Sequence, residues 1–389
     1  MSIHLPEEIT SGHTIKPESI HELGNALFMI AENANGKSLL ILAPTARMLP
    51  EGFAGETTQL ANKVLLRCPC SAANAAALRR HFPWTKPGNL RKSRTAICVK
   101  GLTAADGTGW INAVRNFQIS PFLTMQAEQN PAHAGQTLQQ AVDDALFQVF
   151  ETNFRSGWGA GAGALKNMEN VDSALEAGMT MFSLDLSGSI NTDAAEWDEN
   201  TVNAAFDSID DPIRTRIDAE YADQTFVNGD CGIFIDRTTA RRCALLYSEA
   251  IDFISKCHHH LTKRRGEDFD LELSLAATAA ATPPEQHFFL VRELRRKNIT
   301  ISSLALRFAN GPVDQDGQFH SHAQIARVNG DYKITLPAEG AMRTVLPVVS
   351  RETDRRLLLI LADGRDAVDP VPLEKNIIDL LTLLDIPKN

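Results

Sequence analysis

The sequence predicts an α/β protein built on a (β/α)8 TIM-like barrel, with an N-terminal extension and a large insertion. Three observations carry that expectation. Short β-branched or apolar runs alternate with amphipathic stretches over most of the chain, the pattern of parallel βαβ units. These runs number eight or slightly more, which favours closure into a barrel over an open doubly wound sheet. The chain has 389 residues, more than the roughly 250 such a barrel needs.

Taken in order, residues 1 to about 35 read as the extension and 36–389 as the barrel-like domain. Candidate strands are 38–42, 63–66, 95–99, 120–124, 157–163, 179–185, 269–274, 299–306, 332–336 and 356–361. Amphipathic helices are expected over 137–154, 168–177, 237–257 and 284–297. Asn167 is placed to cap the second of these, and Gly178 stands where a helix C-terminus wants positive φ. The segment at about 186–235, rich in Asp, Asn and Ala, reads as an insertion after a strand. Barrels build their binding sites from such loops.

The stretch Gly157–Asp172, GWGAGAGALKNMENVD, formally contains GxGxxA, with Asp185 about 26 residues beyond the first glycine of the match. A dinucleotide loop needs a strand to deliver it. Here an amphipathic helix precedes it instead. Alternating Gly and Ala fit a strand with one face of minimal side chains.

Composition narrows the partners. Hydrophobic residues make up 43% and charged residues 22%, and 48 acids against 38 bases leave a net charge of −10. That balance disfavours nucleic acid and anionic membranes. The longest apolar runs, such as LLLILA at 357–362, fall far short of the roughly 20 residues a bilayer requires, so the expected location is the cytoplasm. The six cysteines form no disulfide framework, and Cys68-Pro-Cys70 has no second pair to complete a metal site. His258, His259 and His260 are consecutive on a helical stretch, where neighbours do not face one another. His320 and His322 offer a His-x-His pair that could serve a metal hydrolase, although AQIAR after them reads as helix.

Four blocks together resemble the tagaturonate epimerase family, which interconverts tagaturonate and fructuronate in hexuronate catabolism. GAGAGALK (159–166) followed by a helix and MTMFSLD (179–185) is similar to a family Gly-Ala-Asp-Ala-Asp-His-(Ile/Leu)-Lys stretch with its helix and following strand. ELSLAAT (272–278) with TPPEQHFFLVREL (282–294) resembles a Glu-Leu-Ser-x-Asp-Glu-Thr block and its continuation. SLALRF (303–308) and YKITLPAEGAMRTVLP (332–347) are similar to the remaining two. The resemblance covers roughly Ser120 to Pro347.

The departures fall on polar positions. Gly161, Gly163 and Ala164 stand where the family carries two aspartates and a histidine. Ala276 and Ala277 replace an Asp-Glu pair. Pro337, Ala338, Glu339, Gly340, Ala341 and Met342 replace His-Ser-Gly-Ser-Asp-Lys. Epimerisation beside a carbonyl needs a base and a cation to hold oxyanion charge. The resemblance therefore implies a divalent metal whose ligand positions are substituted, so no cofactor and no metal ligands are expected.

The resulting expectation is an epimerase-like protein, catalytically degenerate, that binds a sugar acid or regulates. It could assemble as a homo-oligomer or with an active paralogue. Asp185 and Glu272 are the carboxylates left for catalysis. Lys166, Arg307, Lys333, His287 and His322 are the candidates for substrate binding, and an Asp185–Lys166 ion pair could close the mouth instead. The alternative is a working carbohydrate epimerase or isomerase with a relocated site on Asp185, Glu272, His287, Arg307 and His322.

Overall fold

The computed structural model describes residues 5–100, 108–126, 136–308, 318–338, 340, 342–362 and 373–389. Glu339 and Ala341, named above among the substituted positions, lie outside the described residues.

Before the barrel comes a separate antiparallel sheet. Its strands are β1 (Thr14–Ile15), β2 (His21–Leu23), β3 (Ala26–Asn33), β4 (Gly36–Ala43), β5 (Glu56–Leu60) and β6 (Lys63–Pro69), in the order β1-β3-β4-β6-β5 with β2 on β3. The strands expected at 38–42 and 63–66 belong here and not to the barrel. The boundary drawn at residue 35 falls in the turn of the β3–β4 hairpin, where Asn33 pairs with Gly36. Cys68 is buried in β6 and Cys70 half-buried just after it, both as free thiols.

The barrel follows the predicted plan. Parallel strands β7 (Thr95–Lys100), β8 (Ser120–Gln126), β9 (Gly159–Leu165) and β10 (Met181–Asp185) precede a two-stranded hairpin, β11 (Gln224–Asn228) with β12 (Cys231–Ile235). Strands β13 (Asp270–Ser274), β14 (Ser303–Ala305), β15 (Lys333–Pro337) and β16 (Leu357–Ala362) complete the ring, and β16 closes on β7 from Leu357↔Thr95 to Ala362↔Lys100. Eight of the ten expected strands are thus the eight staves.

Period-two alternation sorts the strand residues. Ala160, Ala162, Phe182 and Leu184 pack outward with the helices, while Ala96, Cys98, Phe122, Met181 and Leu358 gather with Leu90 in a second cluster inside the ring. Leu90 comes from the segment leading into β7. It crosses the N-terminal ends of the strands, where Gly88 N–H donates to the Trp158 carbonyl at 2.9 Å and Leu90 N–H to Asp270 at 2.5 Å.

Helix ends follow local chemistry. Thr137 and Gln140 form a reciprocal capping box on the helix Leu138–Thr152. Asn167 caps the helix Met168–Glu176 through the Asn170 N–H at 2.9 Å, and Gly178 takes φ +83 beyond that helix, as expected. The helix expected over 237–257 runs on as Arg237–Arg265. Residues 186–235 carry three short helices and the β11–β12 hairpin. Among the described residues no helix is long and apolar enough to cross a membrane.

Candidate functional site at the barrel mouth

The C-terminal ends of the strands form the mouth. Between β9 and β10 the pairing runs Ala162↔Phe182 and then Leu165↔Leu184, so Gly163 and Ala164 together oppose Ser183. This is a bulge. A Cβ on Gly163 would lie 3.1 Å from that of Ser183, and Ala164 is exposed. The small residues of this strand therefore reach the mouth without a polar atom among their side chains.

Lys166 follows directly. Its Nζ lies 3.8 Å from Asp185 Oδ2, with the lysine side chain 67% exposed. Asp185 ends β10, and its Oδ1 also accepts the Ser187 N–H at 3.0 Å. The ion pair expected across the mouth is present. Ala276 and Ala277 are exposed just past β13, and Pro337 is exposed at the end of β15. Arg307 lies two residues beyond β14 with its side chain exposed and its carbonyl holding Thr282 N–H at 2.9 Å. Among the described residues it has no ion-pair partner.

Glu272 lies one layer deeper. Both carboxylate oxygens are engaged: Oε1 accepts from Ser183 Oγ at 2.7 Å, and Oε2 from Ser303 Oγ at 2.9 Å and from Thr335 Oγ1. Three neighbouring strands each supply one hydroxyl, and the residue is buried. This satisfies a group that would otherwise be costly to bury. It also leaves Glu272 as a crosspiece of the barrel interior.

Lys333 is not at the mouth. As the first residue of β15 it lies at the opposite end, where Nζ donates to the carbonyls of Leu90 at 3.0 Å and Arg91 at 3.2 Å. Burial pushes its ammonium down to about 8, and the charge of Asp270 works the other way. Asp270 shares that end, its carboxyl raised by burial and drawn partly back by the Leu90 N–H. The inward parity of Asp270, Glu272 and Ser274 was legible in sequence, but the end of the barrel each serves depends on position along the strand.

His287 and His322 come together away from the mouth, between the helices Pro284–Arg296 and Gln318–Val328. Their Nδ1 atoms are 2.9 Å apart, and His287 Nε2 is 2.6 Å from the Tyr332 hydroxyl. Both are fully buried. Desolvation holds His287 well below its ordinary range, with His322 adding repulsion. It also lowers His322 to about 4, partly offset by the Thr282 backbone. A nitrogen facing a nitrogen at this distance requires one donor and one acceptor, so the two rings are not both protonated, and burial favours the neutral form of each. The relocated constellation of Asp185, Glu272, His287, Arg307 and His322 is therefore not assembled.

The His-x-His pair also separates. On a helix, residues two apart point to different sides, and His320 faces Asp230 and Glu352 instead. Within the long helix, His258 packs edge-on to Phe269 and His260 meets Asp172 at 2.6 Å. Sequence reasoning missed the hydroxyls of Ser183, Ser303 and Thr335. Their signal was weak: each sits at inward parity on a predicted strand. Tyr332, just before β15, carried none.

A hard divalent cation wants several oxygen ligands at once. The described mouth offers Asp185, already held by Lys166 and Ser187, while Glu272 is sealed by hydroxyls. These residues do not fit the metal that the family resemblance implies.

A closed ring of eight parallel strands with surrounding helices defines the class: a (β/α)8-barrel protein. A family model for tagaturonate epimerase matches residues 16–362. The chain belongs to the tagaturonate epimerase family. It is 29% identical over 362 residues to a tagaturonate/fructuronate epimerase of Thermotoga maritima, covering 88% of this chain and 72% of that protein. It is likewise similar to the crystal structures of the fructuronate-tagaturonate epimerase of Cohnella laeviribosi. One glycerol complex superimposes with a TM-score of 0.83 and the native form with 0.82, each at 29% identity over 92% of this chain and 74% of that one.

Proposed function

We propose that this protein is an epimerase-like member of hexuronate metabolism in which catalysis has lapsed, and that it binds a sugar acid at the barrel mouth. One observation carries the reading. Among the described residues at the strand ends the one carboxylate is Asp185, already engaged, beside Gly163, Ala164, Ala276, Ala277 and Pro337, whose side chains can neither take a proton nor ligate a hard cation. Acid–base catalysis alone is worth about 10²–10⁴-fold, and a lost metal removes further charge stabilisation.

What remains is suited to binding an anion. Arg307 offers a planar fork to a carboxylate and Lys166 a mobile ammonium. In this reading the ligand is a keto-uronate, and the protein acts as a binding or regulatory subunit, alone as an oligomer or beside an active paralogue. Nucleic acid and membrane play no part. Work in the cytoplasm is in keeping with six free thiols.

The test is to follow conversion of tagaturonate to fructuronate with Mn²⁺, Ni²⁺, Co²⁺ or Zn²⁺ added, and to titrate tagaturonate calorimetrically. Binding without turnover is expected. Robust turnover with any of these ions would sink the proposal.

A further inference from the structure

The β11–β12 hairpin carries a second set of donors, none of them among the strand-end residues described above. Its tip lies against the helix Gln318–Val328 and the turn after it. Asn329 Nδ2 donates to Asn228 Oδ1 at 2.8 Å. Gly229 takes φ +63, and a Cβ there would fall 2.2 Å from Gln324 Oε1, so glycine serves both the left-handed turn and the close approach. The next two residues, Asp230 and Cys231, are thereby delivered to His320.

One carboxylate oxygen of Asp230, the Cys231 thiol and a ring nitrogen of His320 all lie within 4.8 Å of one another. His320 Nε2 is 2.9 Å from Asp230 Oδ1, and Cys231 Sγ is 3.7 Å from that same oxygen. On the far side of the ring, Glu352 Oε2 meets His320 Nδ1. Asp230 is 69% exposed and His320 37%, so an ion can reach the cluster from solvent.

We propose that Asp230, Cys231 and His320 form a site for one zinc-class divalent ion, oriented by Glu352, which pins the hairpin tip to the barrel wall. Sulfur, imidazole nitrogen and carboxylate oxygen together suit a borderline-soft ion and not Mg²⁺ or Ca²⁺. Three protein ligands leave the fourth tetrahedral position to water. Bonds of about 2.0–2.3 Å place tetrahedral ligand atoms roughly 3.3–3.7 Å apart. The sulfur–oxygen distance already matches, and the nitrogen–oxygen distance needs to open by about 0.4 Å on that same spacing. Glu352 holding Nδ1–H leaves the Nε2 lone pair to the metal, the carboxylate–histidine–metal arrangement that fixes a ligand's tautomer. Binding releases the Cys231 thiol proton, and the Nε2 proton where His320 carries one, to solvent.

Without an ion, the same residues form an imidazolium held between two carboxylates. The bond to Glu352 does raise the His320 pKa. Metal uptake separates the two arrangements.

Full-length protein stripped of metal should take up one Zn²⁺ in competition with a chromophoric chelator. His320→Ala and Cys231→Ser should each weaken that uptake by tenfold or more, and Glu352→Gln by about 10–100-fold. Co²⁺ should give a thiolate-to-cobalt charge-transfer band that Cys231→Ser abolishes. Absence of stoichiometric uptake overturns the proposal, as does uptake that survives both ligand substitutions or a Co²⁺ complex without the thiolate band.

Discussion

Gly159 and Gly163 share one strand and both point into the barrel, yet they meet opposite surroundings. A Cβ on Gly159 would fall 2.5 Å from the Phe122 ring and 3.0 Å from Leu90 Cδ1. On Gly163 the nearest atom is Ser183 Cβ at 3.1 Å. The glycine at the base makes room for a packed plug. The one near the mouth has Ser183 as its nearest neighbour and is followed by the exposed Ala164. Among the described residues the N-terminal end is filled with paired and apolar groups, while the strand ends at the other side carry small side chains with the exposed cations Lys166 and Arg307 beside them. The first arrangement serves stability, and the second is where the proposed sugar-acid ligand would bind.

The largest effect should come between the two ends, at Glu272. Glu272→Ala leaves the hydroxyls of Ser183, Ser303 and Thr335 without their common acceptor, and should cost about 3 kcal/mol in urea denaturation. Glu272→Gln should cost less. An unchanged midpoint in the alanine variant would show that the hydroxyls bond adequately among themselves.

Next comes the glycine pair itself. Gly159→Ala should destabilise by about 1–3 kcal/mol, because neither the Phe122 ring nor the neighbouring backbone yields cheaply in a packed interior. Gly163→Ala should cost less than about 1 kcal/mol, since Ser183 needs to give by only a few tenths of an ångström. Equal costs would erase the distinction between the ends.

The base should also show itself through pH. An unfolded lysine keeps its proton to about 10.4, whereas folded Lys333 releases it near 8. Between those values the unfolded state binds more protons, so this residue's contribution to stability rises with pH. Cys68, Cys257 and the half-buried Cys70 act in the opposite sense, because burial pushes their thiols up to about 12, 12 and 11. The quantity to plot is therefore wild type minus Lys333→Met, which should climb from about pH 8 to about pH 10. A flat difference would remove Lys333 from the buried base.

The smallest stability change is expected at the mouth. Arg307→Ala and Lys166→Ala should stay within about 0.5 kcal/mol of wild type, while each lowers tagaturonate affinity at least tenfold by calorimetry. A stability loss comparable to that at the base would make these residues part of the scaffold and not of the ligand surface.

Much of the fold was legible because βαβ units write their period into the chain. The eight staves, the Asn167 cap and Gly178 all follow from local pattern. The N-terminal sheet was not read from the sequence, although a local signal for it exists. Asn33-Ala34-Asn35-Gly36 between two apolar runs is a hairpin signal, but alternation further along drew 38–42 into the barrel. The site was less legible. Strand parity correctly turned Asp185 and Glu272 inward, yet parity says nothing of depth. Glu272 is sealed by hydroxyls from three strands, and Lys333 serves the wrong end to meet a ligand at the mouth.

The sequence by itself determined the barrel, the family and the small side chains of Gly163, Ala164, Ala276 and Ala277, because strand period, helix caps and residue size are local properties. Tertiary structure alone decided that His287 meets His322 and Tyr332 and that His320 turns to Asp230, Cys231 and Glu352. Those partners lie 32–90 residues away in the chain, and only the crossing of helices and the reach of one hairpin brings them within bonding distance.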